Sequence, residues 1–249
     1  MILNAADNIM LGDTEVQKVY CGDELVWERR KIPPQYTALT ELDLSAYSTN
    51  EIGFNSGYRP TSGILAYDVV LSRIRGGGGE KGYCILGNLK ADPFKDTEIS
   101  PHVYYYRWWF MASYAGQIRQ RVKNFTNGAL NVLQTSTSYA DYNVTHHISG
   151  RMEPLLQTLR VDEDEYSLAF EKPASITQRD VWCFRNGDLN NISESGDFAY
   201  GLFSVQSLKI YDDTTLVRDF VPVNRTSDNI DGFWDFCTKQ FYLPYTPIT

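Results

Sequence analysis

The sequence predicts an all-β protein, and three observations carry that expectation. Short runs rich in aromatic and β-branched residues recur along the chain, with aromatics at 14% and a count of 17 Tyr and 5 Trp. Such side chains suit a pleated, half-buried surface. Turn residues separate the runs, as at Asn127-Gly128, Asn186-Gly187-Asp188 and Asp212-Asp213. No segment sustains a helical apolar period. About a dozen short strands with turn-rich spacers describe a sandwich or jelly roll.

The first element is a short internal repeat. Met10-Leu11-Gly12-Asp13-Thr14-Glu15-Val16 is echoed ten residues later by Tyr20-Cys21-Gly22-Asp23-Glu24-Leu25-Val26. Each unit reads strand, Gly-Asp turn, strand, because glycine accepts positive φ and aspartate bonds nearby backbone. A ribbon of only ~20 residues is not stable alone. Its apolar positions Leu11, Val16, Val19, Leu25, Val26 and Trp27 are therefore expected to lie on something else: the main domain, another subunit or a partner protein.

Arg29-Arg30-Lys31-Ile32-Pro33-Pro34 follows. Basic residues and a proline pair make a stiff, extended, solvated connector. The expected organisation is an N-terminal β-hairpin repeat segment over 1–32, a linker over 33–35 and one β-sandwich over 36–249. Strands are expected over 64–74, 83–86 and 103–111, and near 117–124, 143–149, 155–161, 165–171, 180–185, 199–211, 215–223 and 239–243. Gly76 to Gly79 is a loop, and it lacks the lysine-serine or lysine-threonine end of a phosphate loop.

Charge and cysteine usage remove several functions. The net charge is −8, with both signs mixed along the chain, which argues against direct nucleic-acid binding and against a basic membrane surface. Met1 to Asp13 holds no basic residue and no long apolar run, so neither a signal peptide nor membrane insertion is expected. Cys21, Cys84, Cys183 and Cys237 are far apart, with no metal or redox spacing, and read as small core residues.

Catalysis has one weak candidate. Asp162-Glu163-Asp164-Glu165 places Glu163 and Glu165 on one face, but four consecutive acids between two strands read as a solvated turn. His146 and His147 are adjacent, so on a strand they face opposite ways and cannot chelate one metal. No nucleophile elbow is present. No catalytic residue, metal ligand or cofactor is assigned. Calcium stays open, since loop Asp and Asn residues are plentiful, although no EF-hand spacing occurs.

Sugar contact has a better candidate. Tyr104, Tyr106, Trp108 and Phe110 share one face of an aromatic strand, and Tyr105, Arg107 and Trp109 share the other. One face is read as core or subunit contact. The other is read as a groove, with Trp108, Trp109, Tyr104 and Tyr106 as candidates to stack on sugar rings.

The C-terminal third carries a resemblance. Ser207-Leu208-Lys209-Ile210-Tyr211 through Leu216-Val217-Arg218-Asp219-Phe220-Val221-Pro222-Val223 resembles a stretch recurring in concanavalin-A-like (laminin-G-like) domains of bacteriophage proteins. Gly232-Phe233-Trp234-Asp235 through Phe241-Tyr242 is similar to their closing hairpin, and Val181-Trp182-Cys183-Phe184 to an inner strand. The opening from Tyr36-Thr37-Ala38-Leu39 to Gly57-Tyr58-Arg59-Pro60-Thr61 resembles the start of these domains. Leu11-Gly12-Asp13 to Trp27-Glu28 resembles a leader of the same tail and fibre proteins. Asp213 departs from the pattern, where asparagine-glycine usually makes the turn.

The resemblance implies a concanavalin-A-like sandwich in a bacteriophage virion structural protein, fibre- or tail-associated and made in the bacterial cytoplasm. It implies other virion proteins as partners, a homo-oligomer with a trimer favoured, and contact with host-surface glycan. A free-standing carbohydrate-binding module is the alternative, and a glycoside hydrolase the third reading. Within the motif, Arg218 and Asp219 must point to opposite faces of a strand, and one of them needs a buried partner.

Overall fold

A computed structural model describes residues 9–11, 14–16, 18–21, 24–28, 30–47, 52–72, 85–87, 105–110, 118–123, 130–137, 139, 144–169, 180–184 and 203–245. The turn signals Asn127-Gly128 and Asn186-Gly187-Asp188, the four-glycine run and Cys84 lie outside the described residues.

Two short hairpins form the N-terminal repeat. Ile9–Leu11 (β1) pairs with Thr14–Val16 (β2), and Lys18–Cys21 (β3) pairs with Glu24–Glu28 (β4), so each repeat unit is a hairpin with Gly-Asp between its strands. They are separate two-stranded sheets rather than one ribbon. The register of β3 with β4 skips Val26, a bulge between the Val19–Trp27 and Tyr20–Leu25 pairs.

Tyr36–Ala38 (β5), Leu42–Asp43 (β6), Phe54–Asn55 (β7), Leu65–Ser72 (β8), Leu86–Gly87 (β9), Tyr105–Phe110 (β10), Ile118–Lys123 (β11) and Leu130–Gln134 (β12) follow. Then come His146–Met152 (β13), Leu156–Val161 (β14), Asp164–Ala169 (β15), Trp182–Cys183 (β16), Ser204–Asp212 (β17), Thr215–Arg225 (β18), Ile230–Asp235 (β19) and Gln240–Tyr242 (β20). One sheet runs β12-β11-β10-β9-β16-β7; the larger runs β15-β14-β13-β8-β17-β18-β19-β20, with β6 added on β17 and β5 on β18. Every strand pairing among the described residues is antiparallel. The expected all-β sandwich is the architecture found.

The core lies between the two sheets, and alternation puts it there. In β8, Leu65, Tyr67, Val69 and Leu71 are buried while Ala66, Asp68 and Val70 face outward. Phe220 and Phe233 from the large sheet meet Phe54 of the small one, with ring centroids 5.3 Å and 5.6 Å away. Phe184 joins them at 6.0 Å, so the motif around Val181-Trp182-Cys183-Phe184 does supply inner residues. A polar bridge also crosses the interior. The Gln120 amide donates to Gln157 Oε1 at 2.9 Å, and the Tyr67 hydroxyl donates to Gln120 Oε1 at 3.3 Å. Gly150 sits beneath it, where a Cβ would collide with the Tyr67 ring and the Gln120 amide.

Three expectations change. Leu130–Gln134 is a strand that the turn signal before it did not announce. Cys237 is exposed in the β19–β20 turn, whereas Cys183 is a core residue as expected. Arg30 is not a solvated linker charge: its guanidinium lies 2.8 Å from the Asp219 carboxylate, whose side chain is only 2% exposed.

Candidate functional site

The outward face of the large sheet carries an open cleft of about 740 Å³. Strand register builds it from two parallel rows. Tyr211, Ala66, Arg151, Thr158 and Ser167 stand side by side across β17, β8, β13, β14 and β15. Two residues along, Lys209, Asp68, Ser149, Arg160 and Glu165 form the second row. Small side chains at Ala66, Ser149, Thr158 and Ser167 sink the floor, and Tyr211, Arg151, Arg160 and Glu165 stand above it. Four strand spacings separate β17 from β15, roughly 19 Å.

The rims are fixed by ion pairs. Arg151 donates Nε to Glu153 at 2.6 Å and a second nitrogen to the Asp213 carboxylate, and its Nη1 donates to the Asp213 carbonyl at 3.0 Å. Asp213 can take this position because it adopts φ 57° in the β17–β18 turn. At the other rim, Arg160 donates to the Asp162 carbonyl at 2.8 Å and lies 3.1 Å from Glu163. Asp68 is 2.8 Å from His147 Nε2.

Asp162 ties the rim together. Its Oδ2 is 2.7 Å from His146 Nδ1, and its Oδ1 accepts the His147 amide at 2.8 Å. Burial opposes ionisation of Asp162, yet these bonds hold its carboxyl below the usual aspartate range. His146 is buried and His147 exposed, so the adjacent histidines do face opposite ways. Glu163 is exposed in the β14–β15 turn, its side chain at 94%, and Asp164 opens β15. Asp162 and Glu163 are thus the turn expected of the acidic run, whereas Asp164 and Glu165 belong to β15.

Tyr211 closes one end of the cleft. Burial first, then the Asp68 and Asp219 carboxylates, push its hydroxyl above the ordinary tyrosine value, and Arg30 acts against the shift. Both signs of charge stand along the cleft: Lys209, Arg151 and Arg160 are interspersed with Asp68, Glu165, Glu153 and Asp213. A neutral, hydroxyl-rich guest suits such a surface, because each hydroxyl can donate to a carboxylate and accept from a cation.

The residues singled out in sequence lie elsewhere. Tyr106, Trp108 and Trp109 are on β10 of the smaller sheet, and Tyr104 lies outside the described residues. Trp108 is the register partner of Gln120, which reaches across to the opposite sheet, and Trp109 is the partner of Arg119. The two tryptophans therefore occupy positions of opposite parity. Of the assembly positions, Leu11 and Val16 are in the first hairpin, and Val19, Leu25, Val26 and Trp27 in the second. Sequence reasoning missed the cleft residues. Their only signal is polar or small residues two apart, Ala66 and Asp68, Ser149 and Arg151, Thr158 and Arg160, Glu165 and Ser167.

No group of three or more His, Cys, Asp or Glu residues disposed to hold a metal is found among the described residues. No described helix is long and apolar enough to cross a membrane.

No protein family matches the sequence, and no curated protein does. Solved structures do show likenesses. The full-length tailspike protein 2 from Escherichia coli O157:H7 bacteriophage CAB120 aligns over 71% of this chain and 25% of its own, at 10% identity and a TM-score of 0.43. A heptameric SAP-like pentraxin from Limulus polyphemus aligns over 62% of this chain and 66% of its own, at 9% identity and a TM-score of 0.42. Domains LG4-5 of the mouse laminin alpha1 chain align over 64% and 40%, at 12% identity and a TM-score of 0.40. These are likenesses of architecture and assign no activity.

Proposed function

We propose that this chain is a non-enzymatic structural component of a bacteriophage particle, fibre- or tail-associated, whose sandwich holds host-surface glycan on the outward face of its large sheet. The cleft of Tyr211, Asp68, Arg151, Arg160 and Glu165 is the observation that carries the glycan reading. It is long enough for a short oligosaccharide, lined by charges of both signs, and flanked by a tyrosine ring on which a sugar C–H face can pack. The paired N-terminal hairpins support an assembly role. They are too small to be stable alone and present Tyr20 at 56% exposure. Other virion subunits are the partners, and a symmetric oligomer, a trimer first among them, is the assembly.

Three of the acids at the cleft are held by basic side chains, Glu153 and Asp213 by Arg151 and Asp68 by His147, which supports binding rather than hydrolysis.

Binding of the full chain to an array of bacterial surface glycans tests the reading. Wild type is expected to retain a defined set of neutral glycans, and Tyr211→Ala and Arg160→Ala to lose them while keeping the wild-type melting profile. Equal retention by all three proteins, or none by any, rejects the cleft as the glycan site.

A further inference from the structure

The second row of the cleft does not end at Lys209. Its register partner on β18 is Asp219, and the Asp219 carbonyl accepts the Phe236 amide at 2.9 Å. The row thus continues Glu165, Arg160, Ser149, Asp68, Lys209, Asp219, Phe236. Arg30 sits on this continuation, 2.8 Å from the Asp219 carboxylate and with its guanidinium 5.8 Å from the Phe236 ring centre. A carboxylate beside an aromatic ring is a pair suited to a sugar, the acid taking hydroxyl hydrogens and the ring taking a C–H face. Arg30 fills the place beside the carboxylate with its own cation, and shares the ring with Lys239, whose Nζ lies 5.7 Å from the ring centre.

We propose that Arg30 plugs an additional sugar subsite of the outer-face cleft, so that the segment joining the N-terminal hairpins to the sandwich sets the length of glycan the cleft accepts. This rests on the glycan reading above. Arg30 arrives from the stretch that leads directly to the hairpins, and a turn from Pro33 to Tyr36 follows it, the Tyr36 amide donating to the Pro33 carbonyl at 2.9 Å. A partner that draws the hairpins away also draws Arg30 off Asp219 and opens the subsite. Docking of the N-terminal segment and binding of long glycans then favour each other, since coupling between two sites is reciprocal.

The test compares the full chain with Arg30→Ala, using a length series of one neutral oligosaccharide that the wild type retains on the array. Arg30→Ala is expected to gain about tenfold in affinity for the longest members and to leave the shortest unchanged. The double variant Arg30→Ala/Asp219→Asn also removes the buried charge, and should show a smaller length-dependent gain with a stable fold, since a neutral amide replaces the acid of the subsite. An identical length profile in wild type and both variants overturns the plug and leaves the cleft reading standing. If the wild type retains no glycan at all, the cleft reading fails and the subsite fails with it.

Discussion

Arg218 and Asp219 are consecutive on β18, point to opposite faces, and are each neutralised from a distant part of the chain. Arg218 donates Nε to the Ser56 carbonyl at 2.7 Å and lies 3.6 Å from the buried Asp235 carboxylate. Asp219 faces the other way and takes Arg30 at 2.8 Å. The pair therefore fastens both the loop after β7 and the N-terminal connector to one strand.

Loss of Arg30 takes the guanidinium from a buried carboxylate, which costs about 3 kcal/mol at the low end of the range for broken buried pairs. Loss of Asp219 removes the more deeply buried member, and Arg30, already 29% exposed, is the easier of the two to hydrate, so this costs less. Urea unfolding should thus rank Arg30→Ala below Asp219→Ala in stability, with the double variant close to Asp219→Ala. A chain beginning at Tyr36 should show the Arg30→Ala deficit. Equal stability of that shortened chain and the sandwich in the full chain would show that Arg30 is an incidental contact.

Gly150 has no room for a side chain. A Cβ there meets the Tyr67 ring and the Gln120 amide, both part of the bridge between the sheets. Overpacking of this kind costs about 1–3 kcal/mol. Gly150→Ala should lower the thermal midpoint by several degrees in a melting experiment, and adding Tyr67→Phe should not restore it, because the atoms met are ring carbons that phenylalanine keeps.

Asp212 supplies an acid-sensitive tether. Its carboxylate accepts the Ser62 amide at 2.9 Å and the Thr61 amide at 3.1 Å, and also takes the Thr61 hydroxyl. Burial acts against ionisation, yet the Ser62 and Thr61 bonds hold this carboxyl well below the usual aspartate value of 3.8. The sign follows from linkage. A folded value below the unfolded one stabilises fully above pH 3.8, and that contribution is lost as the pH falls below it. The stability gap between wild type and Asp212→Asn should therefore be constant near neutrality and narrow on acidification. A gap that does not change across the acid limb would contradict the tether.

Much of the architecture was legible because alternation is a local signal. Leu65–Ser72 reads buried, exposed, buried directly from its residues, and the closing hairpin over 230–242 sits where the motif placed it. Leu130–Gln134 was not legible, since Val132 and Leu133 are adjacent and break the alternation of a short edge strand. The cleft was invisible for a different reason. Its rows run across five strands, and a row exists only once the register is known. Arg30 escaped notice because a charge in a proline-bounded connector looks solvated until its partner, 189 positions further on, is brought beneath it.

Hydrogen exchange of the full chain with and without a retained oligosaccharide addresses the glycan site most directly. Protection is expected in peptides covering Ser149–Arg151, Thr158–Arg160, Glu165–Ser167 and Lys209–Tyr211. Protection confined to Tyr105–Phe110 and Ile118–Lys123, with the large sheet unchanged, would place the sugar on the aromatic strand of the smaller sheet and contradict the account.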